Sequence, residues 1–250
     1  MEKFKGVERI HNSNMLETIY AKLYFHFGPQ NWWPVTLDNE ITPKYHKNIK
    51  LSEKQKLEIC FGAILTQNTN WKNVEKAIIQ LNKNNLININ KIIRINNKKL
   101  ARIIRSSGYH NQKARKLRNF CLFLMNNYNK DIEKMFSNSI KNLRSELLSI
   151  NGIGPETADS IILYAAKKPI FVVDAYTKRI MNRIGFKENK YDELQNLFMN
   201  NLKKDEKLFN EYHALLVELG KNVCKKKPLC NQCPINRMCN YHNTIYLKQQ

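Results

Sequence analysis

Apolar residues recur three and four positions apart along most of the chain, the spacing that lines one face of an α-helix. The pattern predicts helices over Met15–Phe27, where Pro29 follows, and over Leu57–Leu65 and Trp71–Leu81, which a polar turn divides. Further helices are predicted over Leu100–Ile104, Ala114–Tyr128, Ile140–Leu148, Glu156–Ala166, Tyr191–Leu202 and Phe209–Leu219. Strict alternation, the mark of a half-buried strand, is scarce. The apolar run Ile170–Val173 is too short to carry a sheet and reads as an extended segment between helices. The fold class is therefore all-α. Residues from about Val35 to Glu53 are polar and read as a loop or insertion, and the tail Leu247–Gln250 as frayed.

Composition adds a partner. Lys and Arg number 42 against 21 Asp and Glu, a net charge of +21. Such an excess attracts a polyanion. Biased composition is the competing reading, because Asn and Lys are abundant throughout, as in Asn82–Asn85 and Asn96–Lys99. No stretch of about 18 apolar residues exists to span a membrane. Met1–Lys5 leads into no apolar signal core, so an intracellular place, in the cytoplasm or nucleoid, is expected. Disulfides are then not expected. Cys60 and Cys121 sit alone among apolar residues and read as core.

The segment from Leu147 to Asp159, Leu-Leu-Ser-Ile-Asn-Gly-Ile-Gly-Pro-Glu-Thr-Ala-Asp, carries the first candidate chemistry. A helix ends near Ile150, and Gly152 and Gly154 supply a tight turn around the apolar plug Ile153. Pro155 suits the first position of the next helix, where its missing N–H is no loss. The free N–H groups of such a helix start bind a phosphate. The arrangement grips a DNA backbone without reading bases. An ordinary glycine-capped helix connection is the bland alternative. Downstream, Asp174 follows four apolar residues and suits the N-cap of a helix beginning at Ala175.

Four more cysteines, Cys224, Cys230, Cys233 and Cys239, fall within 16 residues. Thiolates this crowded suggest one metal centre. Structural zinc accepts four cysteines but favours two Cys-x-x-Cys-like pairs, and only the middle pair here has that spacing. A [4Fe–4S] cluster is the other candidate.

A Gly-Ile-Gly hairpin followed about 20 residues later by Val-Asp resembles the helix–hairpin–helix DNA glycosylase superfamily, of which endonuclease III gives the type pattern. The resemblance runs from about Leu57 to Cys239, with its parts in family order. It implies a two-lobed helical fold with the active site in the cleft. The corresponding segments are an N-terminal helix over 1–34 that joins the cluster lobe, a loop or insertion over 35–56, a helical domain with the hairpin over 57–166, and a second lobe over 167–250. It implies that Asp174 is catalytic, where a fixed carboxylate stabilises the positive charge that builds on a sugar losing its base and helps activate water. Bifunctional members carry a lysine two residues past the second glycine, which attacks the sugar as an amine. Glu156 stands there instead and cannot form the imine, so the chain resembles the monofunctional branch.

The resemblance further implies a [4Fe–4S] cluster on the four cysteines, although the family gaps of six, two and five residues become five, two and five here. Lys225–Lys227 in that loop would meet phosphate. Gln67 matches the family residue that fills the gap left in the duplex. Ser107–Ala114 resembles a family turn near DNA, with Lys113 and Arg115 as candidate phosphate contacts. A glycosylase holds its extruded base between aromatic faces. Trp33 and Trp71 are the candidates, in Trp-Trp-Pro and Leu-Thr-Gln-Asn-Thr-Asn-Trp segments similar to the endonuclease III-related subgroup that acts on alkylated purines such as 3-methyladenine, or on uracil. A Trp clamp suits a cationic base, and each Trp also reads as core.

The expected function is excision of an alkylated purine or uracil from double-stranded DNA by a monomer. A bifunctional glycosylase with AP-lyase activity and a non-catalytic, metal-stabilised DNA-binding protein are the alternatives.

Overall fold

A computed structural model describes the backbone of residues 2–249 and the side chains of residues 12–248; Met1 and Gln250, at the outer ends of the two terminal segments read above, lie outside the described residues. The described residues form helices α1 (Glu2–Phe27), α2 (Glu53–Leu65), α3 (Trp71–Lys83), α4 (Ile89–Arg94), α5 (Asn97–Ile103), α6 (His110–Tyr128), α7 (Ile132–Ser137), α8 (Ile140–Ser149), α9 (Pro155–Ser160, continued by a wider turn over Ile161–Ala165), α10 (Ala175–Ile184), α11 (Tyr191–Asn201) and α12 (Glu206–Asn222). Among them there is no strand, and one isolated antiparallel bridge pairs Val35 with Lys44. None of these helices is long and apolar enough to cross a membrane. The chain divides into two compact units, one of residues 31–168 and the other of residues 1–30 with 169–250.

In the unit of residues 31–168, the helix starts explain much of the polar composition. Asn70, Asn88, Asn96, Asp131 and Ser139 each accept a hydrogen bond from a backbone N–H in the first turn of α3, α4, α5, α7 and α8. Ser52 and Gln55 form a reciprocal capping box on α2. Each such cap stabilises its helix by about 1 kcal/mol. The asparagines therefore do structural work beyond compositional bias. Helices α4 and α7 went unpredicted because six residues are too few to display a period.

The polar stretch 35–52 is docked rather than loose. Thr36 N–H donates to Glu58 Oε1 on α2 at 2.8 Å, and Asn82 Nδ2 donates to Glu58 Oε2 at 3.0 Å and Thr36 Oγ1 at 2.9 Å. Gln55 Nε2 closes the network on Thr36 O at 3.1 Å. Glu58 is buried, and burial raises its pKa while the Asn82 and Thr36 hydrogen bonds oppose the rise.

In the other unit, Phe171 stacks on Phe198 with ring centroids 3.7 Å apart, and Phe209 and Tyr212 meet Phe171 edge-on. Tyr212 OH donates to Leu16 O at 2.9 Å, tying α12 to α1. The run Ile170–Val173 is extended and buried, as its β-branched composition predicts. Gln195 Nε2 satisfies Phe171 O at 2.7 Å.

Replacing Glu58 with Ala leaves the Thr36 N–H and Asn82 amide without their buried acceptor. The expected loss is about 1–3 kcal/mol of unfolding free energy, read by urea denaturation, with protease cutting concentrated between Val35 and Ser52.

Candidate functional site

The hairpin joins α8 to α9. Gly152 has φ +99°, a conformation that L side chains rarely adopt. A Cβ there would lie 2.5 Å from Lys116 Cγ, because the Lys116 stem of α6 crosses the turn. Gly154 needs no special backbone angle. It is the N-cap of α9 at φ −100°, which any residue adopts, and the space where its side chain would stand is open. Ile153 is buried as the plug, and Pro155 holds the first position of α9. Glu156, in the first turn of α9, is exposed.

Gln67 lies in the turn between α2 and α3 and is bound to the hairpin. Its Nε2 donates to Gly152 O at 3.0 Å and Thr157 Oγ1 at 2.9 Å, and its Oε1 accepts from Lys116 Nζ at 2.5 Å. Sequence reasoning missed Lys116. Nothing in the pattern separates it from its neighbours, because its role rests on a contact 49 positions away in the chain.

Lys113 corrects an expectation. It is 2% exposed, and its Nζ donates to Leu65 O at 2.8 Å and Ser107 O at 2.6 Å. Burial, helped by the charge of Lys116, lowers its pKa to about 8. An ammonium held by two inward carbonyls caps the end of α2 and the turn before α6, and cannot meet a phosphate. Arg115 is exposed on the same helix.

Trp33 and Trp71 do come together, with ring centroids 5.3 Å apart at 88°. The two rings meet edge to face rather than face to face. Trp33 is 7% exposed and abuts α2 at Gly62, where an added Cβ would lie 3.1 Å from Trp33 Cζ2. Trp32 and Tyr164 complete the cluster, Trp32 6.2 Å from Trp71 and Tyr164 5.2 Å from Trp33. Trp32 is less buried than Trp33 and was not singled out in the sequence.

In the other unit, Asp174 is the N-cap of α10. Its Oδ1 accepts from Thr177 N at 2.7 Å, and its Oδ2 lies 3.9 Å from His213 Nε2 on α12. His213 is buried. Burial lowers its pKa, and the Asp174 charge partly restores it. A half-buried carboxylate fixed at one oxygen by a helix N–H is a preset negative charge.

The four cysteines line a single cavity with Arg183, Tyr241 and His242. Arg183 donates to Cys224 Sγ at 3.2 Å and to the carbonyls of Lys225 and Lys226, while Arg179 donates to Gly220 O and Cys224 O. Burial and mutual repulsion raise the pKa of Cys230, Cys233 and Cys239, that of Cys233 to about 12. Thiols set among one another in this way call for a cationic centre. Among the described residues, no three His, Cys, Asp or Glu side chains are gathered as a single metal ion requires.

The family described as HhH-GPD superfamily base excision DNA repair protein matches residues 61–204. The Methanocaldococcus jannaschii protein MJ1434, named as a candidate DNA repair glycosylase, is 44% identical over 229 residues, covering 90% of this chain and 96% of that protein. Endonuclease III of Sulfolobus acidocaldarius is 27% identical over 220 residues, covering 82% of this chain and 96% of its own length. The structure of the H. pylori 3-methyladenine DNA glycosylase MagIII bound to 1,N6-ethenoadenine is similar at TM-score 0.66 and 28% identity, covering 84% of this chain and 97% of that one. A non-covalent endonuclease III–DNA complex shares the fold at TM-score 0.75 and 20% identity, covering 95% of this chain and 99% of the other.

The two hairpin glycines separate by substitution. Gly152→Ala forces both a strained φ and a clash with Lys116, with an expected loss of about 1–3 kcal/mol. Gly154→Ala meets open space and keeps near-wild-type stability. Thermal melts of the two variants check this.

Proposed function

The chain belongs to the HhH-GPD superfamily of base excision DNA repair proteins and is a DNA glycosylase; we propose that it is a monofunctional one, acting as a monomer on alkylated purines or uracil in double-stranded DNA inside the cell. The observation that carries the reading is Asp174, a carboxylate with one oxygen fixed by Thr177 N–H and the other 3.9 Å from His213 Nε2. In the proposed mechanism the hairpin turn at Gly152–Gly154 holds the backbone through N–H groups at the start of α9, without regard to sequence. Gln67 fills the place of the extruded nucleotide. Trp71, with its neighbours Trp32 and Trp33, offers aromatic surface for the base. Asp174 stabilises the oxocarbenium-like sugar as the base departs and accepts a proton from the attacking water.

Glu156 supports the monofunctional assignment, since a carboxylate at the position of the family's lysine cannot form a Schiff base. Lys113 does not substitute for it, because both inward carbonyls engage its amine. Likeness to a glycosylase bound to 1,N6-ethenoadenine favours a modified purine.

Cys224, Cys230, Cys233 and Cys239 would hold a [4Fe–4S] cluster. When bound it would cross-link the loop that presents Lys225–Lys227 to phosphate. Replacing Cys233 with Ser is expected to remove iron and acid-labile sulfide together and to weaken DNA binding. Stoichiometric zinc without sulfide in the wild-type protein would replace the cluster with the zinc alternative.

The decisive assay uses labelled duplexes carrying uracil, 3-methyladenine or 1,N6-ethenoadenine, each analysed with and without hot alkali. Breaks are expected only after alkali, and Asp174→Asn is expected to abolish them while duplex affinity persists. Breaks without alkali would make the enzyme bifunctional. Undiminished turnover in Asp174→Asn would remove Asp174 from the chemistry.

A further inference from the structure

His213 is a buried titratable group that the mechanism above does not use. It sits on α12, and α12 packs against α10 and α1. From α10, the Asp174 carboxylate faces it, with Oδ2 3.9 Å from Nε2. Among the described residues of these elements, the neighbouring charges are engaged or exposed as follows, and on α12 Lys221 pairs with Glu218. Arg179 is spent on Gly220 O and Cys224 O, and Arg183 on the cysteine loop. Lys178 on α10, and Glu17 and Lys22 on α1, are exposed, while Tyr20 of α1 packs at a tilt against Tyr212. On α12 itself, Glu211 accepts from Gln30 N at 2.7 Å. The Asp174 charge raises the pKa of the imidazole against the lowering effect of burial.

We propose that His213 is a positioning residue for Asp174, confining its second oxygen while neutral and silencing the carboxylate when it becomes an imidazolium. The inference rests on the reading of Asp174 as the catalytic carboxylate. Contacts of this length in a free enzyme commonly tighten when substrate binds. A neutral imidazole leaves the full carboxylate charge facing the sugar, whereas a cation 3.9 Å from Oδ2 cancels much of it. Burial favours the neutral ring, so the imidazole protonates below its ordinary value of about 6.5, and activity is lost as pH falls through that lowered pKa.

Two measurements on the full-length protein test this. The first is NMR titration of the His213 ring in wild type and Asp174→Asn, with assignment by its absence in His213→Gln. Loss of the carboxylate removes the influence that raises the His213 pKa, so the ring is expected to titrate at lower pH in Asp174→Asn. Identical titration overturns the proposal, and this arm stands even if His213→Gln does not fold. The second is the pH profile of single-turnover base release. His213→Gln is expected to lower the rate by up to about 10²-fold at neutral pH, move the acid limb to lower pH and leave the DNA Kd unchanged. A wild-type profile and rate in that variant overturn the proposal. If Asp174→Asn still releases base, the catalytic reading of Asp174 fails instead, whichever way His213 titrates.

Discussion

A buried polar atom left without a partner costs about 1–3 kcal/mol, and the irregular parts of this chain are held by that penalty. Glu58 and Gln67 reach backbone groups of segments with no helix ladder of their own, and Lys113 reaches carbonyls at the end of α2 and in the turn before α6. If any of these segments moved away, a carboxylate, an ammonium or a carboxamide would be stranded in apolar surroundings. Hydrophobic contact is tolerant of small slips, but hydrogen-bond geometry is not. The turns that bear the candidate DNA contacts are thus more narrowly fixed than their lack of secondary structure suggests.

In the unit that carries Asp174, α10 serves at both ends. Its N-terminus places the carboxylate against Thr177 N–H, and its later turns send Arg179 and Arg183 into the cysteine loop. One rigid helix of ten residues therefore links the candidate catalytic group to the candidate cluster loop. In the proposed reading the cluster does no chemistry of its own. When bound it would brace the loop to which Arg179 and Arg183 of α10 are bonded.

What the sequence made legible was local. The helices of α2, α3, α6 and α12 announced themselves by period, the hairpin by its glycines and Pro155, and the cap at Asp174 by residue type. What it hid depended on contacts across long stretches of chain. A lysine beside a family-like turn reads as a surface cation, yet Lys113 points inward because Leu65 O and Ser107 O need a donor. In sequence, the polar stretch after Pro34 separates Trp33 from α2. The Val35–Lys44 bridge and the Glu58 network fold that stretch back, so that Trp33 still meets Gly62. His213 carried no signal in the pattern, since a histidine among apolar helix positions gives no hint of the carboxylate it will face.

The charge of +21 answers a different need from the hairpin and the carboxylate. Phosphate attraction is indifferent to sequence and falls steeply with salt, so it serves search rather than selection. A backbone grip at Gly152–Gly154 is equally indifferent. Selection in the proposed mechanism must therefore lie in how readily a nucleotide leaves the stack, how well its base meets Trp71, and how readily its glycosidic bond yields beside Asp174. A cationic alkylated purine meets the last two conditions together, because its charge suits an aromatic face and its base departs as a neutral molecule that needs no proton from the enzyme. That economy matches a site with a fixed carboxylate and a histidine whose burial holds it neutral.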